Sequence, residues 1–305
     1  MKHVVSLIVV MLLVCMSQAQ QTYVFAHRDT MDLKLDVYQP QHPRADHACV
    51  LYVFGGGFAT GERDNAYSKK CCELLSERGF VAVAIDYRLY FKHPAKTSLL
   101  QAYTLFDTAI TWAVEDCCDA IAFLWDHAGE LKLDPTRMVL TGSSAGAITV
   151  MQTEYSRANS LAVASNLPKG FVPAAVVSYA GGVMCRNRDL KYTLSPAPTC
   201  MFHGTYDRIV NYKRMRGSLT TSLFGSDRLA KHFAKNGYNY WVLRFKDIGH
   251  EVAIALPSTI DEFCAFVDAA MAGRVMQYDA TCNDTAVHQT EWTKMNLFDL
   301  YLKKD

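Results

Sequence analysis

The sequence predicts an α/β protein: a mostly parallel central sheet, entered by an antiparallel N-terminal hairpin and covered by helices on both faces. Three observations carry that expectation. Short apolar runs alternate along the chain with longer stretches of helical period. The first two strand-like segments, Tyr23–Asp29 and Leu33–Tyr38, instead alternate apolar and polar residues around a short polar turn, as a hairpin with one wet face does. The clearest helix, from about Gln101 to His127, repeats Phe106, Ile110, Ala113, Cys117, Ile121 and Leu124 every three or four positions.

The elements follow in order. Cys49 to Phe54 is a continuous apolar run, typical of a strand buried on both faces, and it ends at Gly55-Gly56-Gly57. A helix is expected over Asn65–Arg78, closed by Gly79, and then a buried strand over Val81–Ile85. After the long helix, Asp134-Pro135 breaks the chain, Met138-Val139-Leu140 is a short strand, and Ala145–Tyr155 is a helix. Strands over Ala174–Tyr179 and Thr199–Phe202, a helix over Asp227–Asn236 and a strand over Tyr240–Phe245 continue the alternation. A last core helix runs from about Pro257 to Ala272, with proline at its start and Gly273 past its end. Right-handed crossovers place the loops after the parallel strands along one edge, where sites form. Beyond about residue 275, Trp292, Met295, Phe298 and Leu302 have the spacing of a terminal helix packed on the domain.

The ends and the composition narrow the function. Lys2 and His3 precede an apolar run from Val4 to Val14, followed by Ser17-Gln18-Ala19. This is the pattern of a cleavable secretory signal over residues 1–19, with a mature start near Gln20, so the protein is expected to be secreted or periplasmic. The run is short of the roughly 20 apolar residues of a membrane span, and no other run is long enough. The remainder, 20–305, reads as one domain with a C-terminal extension. A formal net charge of +1, with no basic block, speaks against a nucleic-acid or anionic-membrane partner.

Of the 10 cysteines, Cys49, Cys117, Cys118 and Cys200 lie in apolar stripes and read as buried thiols. Export would permit disulfides among Cys71, Cys72, Cys185, Cys264 and Cys282. No Cys or His pair faces another at zinc-finger spacing, so no metal is expected.

Four features carry chemistry. Gly142-Ser143-Ser144-Ala145-Gly146 fits G-x-S-x-G between an expected strand and an expected helix. A serine at such a sharp turn sits in strained backbone, where large neighbours would collide, and the helix N-terminus behind it favours developing negative charge. Phe54-Gly55-Gly56-Gly57-Phe58 can bring amides close to an oxyanion, so Gly56, Gly57 and Ala145 are the candidate donors. Asp207, in the loop after a strand, is the candidate partner for a histidine Nδ1–H. His250, after the last strand, is the candidate general base for Ser144. The order Ser, Asp, His suits this arrangement. Asp247 is the weaker rival to Asp207. His203 reads as support for the site or as filling the strand end, Ser143 as a supporting neighbour of the nucleophile, His127 and His232 as helix-surface residues, and Glu251 as a solvated or loop-bracing acid. The set needs no cofactor, because nucleophile, base and electrostatics are all side chains or backbone.

Together with Asp86-Tyr87-Arg88-Leu89, these motifs resemble the α/β-hydrolase carboxylesterases, above all the hormone-sensitive-lipase-like and feruloyl- or acetyl-esterase-like branch, over about residues 22–272. The resemblance implies the α/β-hydrolase fold, a triad of Ser144, Asp207 and His250, and oxyanion donors at Gly56, Gly57 and Ala145. It departs at Phe54, where that family usually has a loop-bracing histidine, and in lacking an N-terminal cap. Substrate cover then falls to the long loops Gly182–Ser195 and Asn211–Ser226, the second carrying Tyr212, Arg214, Arg216 and Phe224. The expected function is an exported serine ester hydrolase working through an acyl-enzyme. Its expected substrates are small or polysaccharide-linked esters, such as feruloyl or acetyl groups on xylan. The alternatives are a general short-chain carboxylesterase or lipase, and a non-catalytic binding protein on the same scaffold.

Overall fold

The computed structural model describes residues 20–29, 31–92, 99–186, 189–217, 220–274, 277–283, 286–296 and 299. The expected signal segment, Cys15, Phe298 and Leu302 lie outside the described residues. Strands β1 (Gln21–Arg28) and β2 (Met31–Tyr38) form the antiparallel hairpin expected from their alternation, and β2 pairs antiparallel with β4 (Val81–Ile85). From there the sheet is parallel throughout. Strands β3 (Cys49–Val53), β5 (Met138–Ser143), β6 (Ala175–Tyr179), β8 (Thr199–Gly204), β11 (Tyr240–Phe245) and β12 (Gln277–Cys282) extend it, giving the order β1-β2-β4-β3-β5-β6-β8-β11-β12.

The central strands β3, β4, β5 and β6 are buried at every position, which is why the sequence reads there as unbroken apolar runs. Helices α1 (Ala66–Glu77), α2 (Leu99–Asp126), α3 (Ala145–Ala158), α4 (Ser226–Asn236) and α5 (Ile260–Met271) complete the layers. Asn65 starts α1 by accepting from the amides of Tyr67 and Ser68 at 2.9 Å each. Gly237, in the left-handed region at φ 70°, stops α4.

One buried carboxylate fastens the hairpin to the body. Asp116 of α2 is fully buried; it accepts from Arg28 of β1 at 2.8 Å, and from the side chain of Arg88 at 2.9 Å and its amide at 2.8 Å. Among the described residues, no helix is long and apolar enough to cross a membrane.

Four expectations need correction. The last core helix starts later than Pro257, which lies in a separate 3-10 turn, Leu256–Ser258, ahead of α5. The two long loops contain strands: β7 (Gly182–Arg186), β9 (Arg214–Arg216) and β10 (Thr221–Gly225) form a second, antiparallel sheet in the order β7-β10-β9. These strands are three to five residues long, too short to display a period. The tail does not open as a helix. It adds the parallel edge strand β12, whose side chains are mostly exposed and so carry no apolar signal, and then a 3-10 turn, Glu291–Thr293. Finally, Cys71, Cys72, Cys185, Cys264 and Cys282 are not in disulfides. All nine described cysteines are thiols, seven of them buried as small apolar side chains.

Candidate active site

The G-x-S-x-G segment forms the strand-to-helix turn its spacing demands. Ser143 ends β5, Ala145 begins α3, and Ser144 between them has φ 52° and ψ −116°, a strained conformation for a residue with a side chain. The strain is held by the surroundings. The Ser144 amide donates to the Tyr179 carbonyl at 2.9 Å, and its carbonyl accepts from Ile148 at 2.9 Å. Gly146 is required because a Cβ there would lie 2.0 Å from the Val53 carbonyl oxygen. The turn therefore sits tightly between β3 and α3. Ser143 supports it from behind, donating its hydroxyl to the Ala253 carbonyl at 2.7 Å.

Two further loops deliver their side chains to this turn. Asp207 follows β8, and its Oδ1 accepts from the amides of Ile209 at 2.9 Å and Val210 at 3.0 Å. That Asx-type turn fixes the carboxylate and leaves Oδ2 pointing at a histidine. His250 follows β11 at the head of a 3-10 turn, His250–Ile254. Its Nδ1 lies 2.7 Å from Asp207 Oδ2 and its Nε2 lies 2.8 Å from Ser144 Oγ. The three residues expected from sequence thus meet, and Asp207 rather than Asp247 receives the ring. Asp207 and His250 are buried; Ser144 is partly exposed. With Nδ1–H donated to the carboxylate, Nε2 is left as the acceptor facing the serine hydroxyl.

Burial alone would raise the Asp207 pKa. Electrostatic attraction to His250 and the hydrogen bonds from His203 and His250 outweigh it and hold the carboxyl well below its usual range. His203 therefore supports the site, as expected. Its Nε2 donates to the Val210 carbonyl at 2.9 Å and lies 3.2 Å from Asp207 Oδ2, while its Nδ1 meets Ser226 Oγ at 2.8 Å.

The glycine run packs directly on the serine turn. A Cβ on Gly55 would come within 3.2 Å of Ser144 Cβ. Gly56 and Gly57 turn the chain with φ of 127° and 63°. The bracing that the missing histidine would give comes from the next strand's exit. Tyr87 stacks on Phe54 with ring centroids 4.5 Å apart and donates its hydroxyl to the Phe54 carbonyl at 3.1 Å. Its neighbours anchor the same run. Asp86 accepts from the Lys34 amide at 3.1 Å and from Arg63 at 2.9 Å, and Arg63 also lies 3.0 Å from buried Asp36. Gly55 thus packs on Ser144, Gly56 and Gly57 follow it in the chain, and Ala145 is the first residue of α3. The Asp-Tyr-Arg run was visible in the sequence; its partners were not, because they lie on other strands and loops.

Two of the residues expected to cover the site, Arg214 and Phe224, hold each other, and Tyr212 is held by other residues. Tyr212 is buried, meets His203 edge-on at 5.5 Å and hydrogen-bonds Arg244. Phe224 is buried under Arg214, whose guanidinium lies 5.5 Å above the ring and donates to Ser222 at 3.0 Å. Arg216 is exposed. Glu251 is a buried bracing acid, accepting from the Gly249 amide at 2.9 Å and from Thr290 and Thr293 of the tail. Sequence reasoning missed Trp292 at this site: its ring lies 6.0 Å from that of His250. No group of three or more His, Cys, Asp or Glu side chains that could hold a metal occurs among the described residues.

Parts of the chain are similar to known proteins. The BD-FAE family model matches residues 35–164, which include the glycine run and the serine turn. Lipase 2 of Moraxella sp. (strain TA144) is 30% identical over 131 residues, covering 41% of this chain and 27% of that protein. Carboxylesterase NlhH of Mycobacterium tuberculosis is 27% identical over 127 residues, 41% of this chain and 35% of that one. The chain thus spans about a quarter to a third of the length of these relatives. Among solved structures, the thermophilic esterase Est2 of Thermogutta terrifontis superposes with a TM-score of 0.63 at 22% identity, over 84% of this chain and 94% of that one. Residues 35–164 are thus similar to the BD-FAE family, and the chain shares the α/β-hydrolase fold of that esterase.

Proposed function

We propose that the protein is a serine carboxylic-ester hydrolase in which Ser144, His250 and Asp207 act as a triad. The observation that carries this reading is the pair of contacts at His250, 2.8 Å to the serine Oγ and 2.7 Å to the aspartate Oδ2. Ser144 Oγ attacks the ester carbonyl carbon while His250 Nε2 takes its proton. The carbonyl oxygen becomes an oxyanion beside the amides of Gly56, Gly57 and Ala145, at the N-terminus of α3. As the C–O bond breaks, His250 returns the proton to the alcohol oxygen, leaving an acyl-serine. A water molecule then gives its proton to the same nitrogen as it attacks the acyl carbon; the bond from that carbon to Ser144 Oγ breaks, His250 returns the proton to Oγ, and the acid leaves with the serine restored. Asp207 keeps the ring oriented and stabilises the imidazolium at both stages.

The finer reading is that the esters are carbohydrate-borne, such as feruloyl or acetyl groups on xylan, and that the protein is exported, with a mature start near Gln20. Support for the first is the match to the BD-FAE family. Support for export is the signal-like pattern of residues 1–19. The test is a panel of p-nitrophenyl acetate, methyl ferulate and acetylated xylan, run beside Ser144→Ala, with the N-terminus of the exported chain sequenced. Turnover of all three, lost in the variant, fits the proposal. Turnover of p-nitrophenyl acetate alone would favour a general short-chain carboxylesterase, and turnover of none would favour a non-catalytic binding protein.

A further inference from the structure

The tail after α5 returns to both loops that bear the acid and the base. Glu251, next to His250, is the hub of that return. Its Oε2 accepts from the Gly249 amide at 2.9 Å. Its Oε1 accepts from the Thr290 amide at 2.7 Å and hydroxyl at 2.8 Å, and from the Thr293 amide at 2.9 Å and hydroxyl at 2.7 Å. Against the opposing effect of burial, its own backbone amide and the Thr293 and Thr290 donors hold the Glu251 carboxyl below its ordinary pKa, so it is a carboxylate at neutral pH.

Other contacts fix the same segment. Gln289 donates to the Asp247 carbonyl at 2.6 Å, and Asn296 forms a parallel bridge with Arg208, beside Asp207. The approach is close enough to require glycine on the histidine loop: a Cβ on Gly249 would fall 2.4 Å from Thr293 Cα.

A segment held this firmly presents one large side chain to the site. Met295 packs on the apolar core, whereas Trp292 is half-buried with its ring 6.0 Å from the His250 ring and tilted 46° to it. The direction of the chemistry then assigns a side. His250 must hand its proton to the oxygen of the departing alcohol, so the alcohol half of the ester lies against the imidazole when that bond breaks. A group beside the imidazole and anchored to its loop is therefore beside the alcohol, not the acyl chain.

We propose that residues 289–296 form the alcohol-side wall of the site, with Trp292 as its specificity residue and Glu251 as the anchor. An indole offers a broad, flat apolar face of low conformational entropy cost. The alcohol it suits is a ring with a flat C–H or π face, as a pyranose or an aryl alcohol supplies. This rests on the triad reading above.

The test keeps the acyl group constant and varies the alcohol. Methyl acetate, an acetylated methyl pyranoside and phenyl acetate are compared in the full chain, in Trp292→Ala and in Trp292→Phe, with fluorophosphonate labelling of each. The ratio of kcat/KM for the ring esters over methyl acetate should fall about five- to tenfold in Trp292→Ala, mainly through KM, and recover in part in Trp292→Phe. A fall for the pyranoside alone identifies a sugar as the alcohol, and a fall for phenyl acetate alone identifies an aryl group. Labelling of Trp292→Ala with unchanged ratios for both ring esters overturns the wall alone. Failure of the wild-type chain to label overturns the serine reading, and the wall with it.

Discussion

Tyr87 holds Phe54 from two directions, stacking on its ring at 4.5 Å and donating a hydrogen bond to its carbonyl at 3.1 Å. Tyr87 is buried, and the Phe54 carbonyl leads straight into Gly55 and Gly56. The hydroxyl therefore sets the start of the proposed oxyanion loop. Tyr87→Phe keeps the stack and removes the hydrogen bond. It should cost about 1 kcal/mol of stability and lower kcat more than it raises KM, because the loop's amides act on the transition state. Urea denaturation and steady-state kinetics on p-nitrophenyl acetate check both. A loss confined to KM would remove Tyr87 from the account of the oxyanion.

Asp207→Asn keeps an acceptor for the Ile209 and Val210 amides but no longer enforces the Nδ1–H form of His250. The expected fall in kcat is on the order of 10⁴-fold, with the fold retained. Its effect on stability depends on pH with a definite sign. The folded Asp207 carboxyl titrates below its unfolded value of about 3.9. Its contribution is therefore fully present above that unfolded value and is lost as pH falls through the folded one. Wild type should exceed Asp207→Asn by a constant margin from neutral pH down to about pH 5. Below about pH 4 the margin should shrink. Urea titrations across that range measure it, and a margin that widens towards acid would contradict the assignment.

Asp116 is the fully buried carboxylate shared by Arg28 and Arg88. Both arginines keep one other acid within reach, Asp119 and Glu115 respectively. Asp116→Ala should therefore cost about 3 kcal/mol, the low end for breaking a buried ion pair, and loosen the β1–β2 hairpin first. Hydrogen exchange should show protection lost earliest in residues 21–38.

The thiols are predicted to be quiet. Burial pushes Cys49, Cys117 and Cys185 up to about 12 and Cys71 up to about 11, so little thiolate forms near neutral pH. Reducing agent should leave the Tm unchanged. Iodoacetamide at pH 8 should modify, among the described cysteines, only the partly exposed Cys264 and Cys282 while the protein is folded. Peptide mapping reads the result, and native modification of Cys49 or Cys117 would contradict it.

What the sequence made legible follows from how each element earns its stability. Strands β3, β4, β5 and β6 are buried on both faces, so their apolar runs had one reading. The glycines around Ser144 were legible because Gly146 answers a steric demand that no larger residue meets. Asp207 and His250 were found from their places after strands, and the fold brings them together. β12 was invisible because an exposed edge strand needs no apolar pattern. The roles of Tyr87 and Trp292 were hidden for another reason. Each depends on a partner far away in the chain: 33 residues separate Tyr87 from Phe54, and Trp292 meets His250 across a long excursion through α5 and β12.

The most direct test of the whole account is the site of covalent modification by a fluorophosphonate, read by peptide mass spectrometry on the full-length chain. The triad geometry predicts a single adduct on Ser144, formed in step with loss of esterase activity, absent in Ser144→Ala and slowed by orders of magnitude in His250→Ala. An adduct on another serine, or labelling of Ser144 at an undiminished rate without His250, would contradict it.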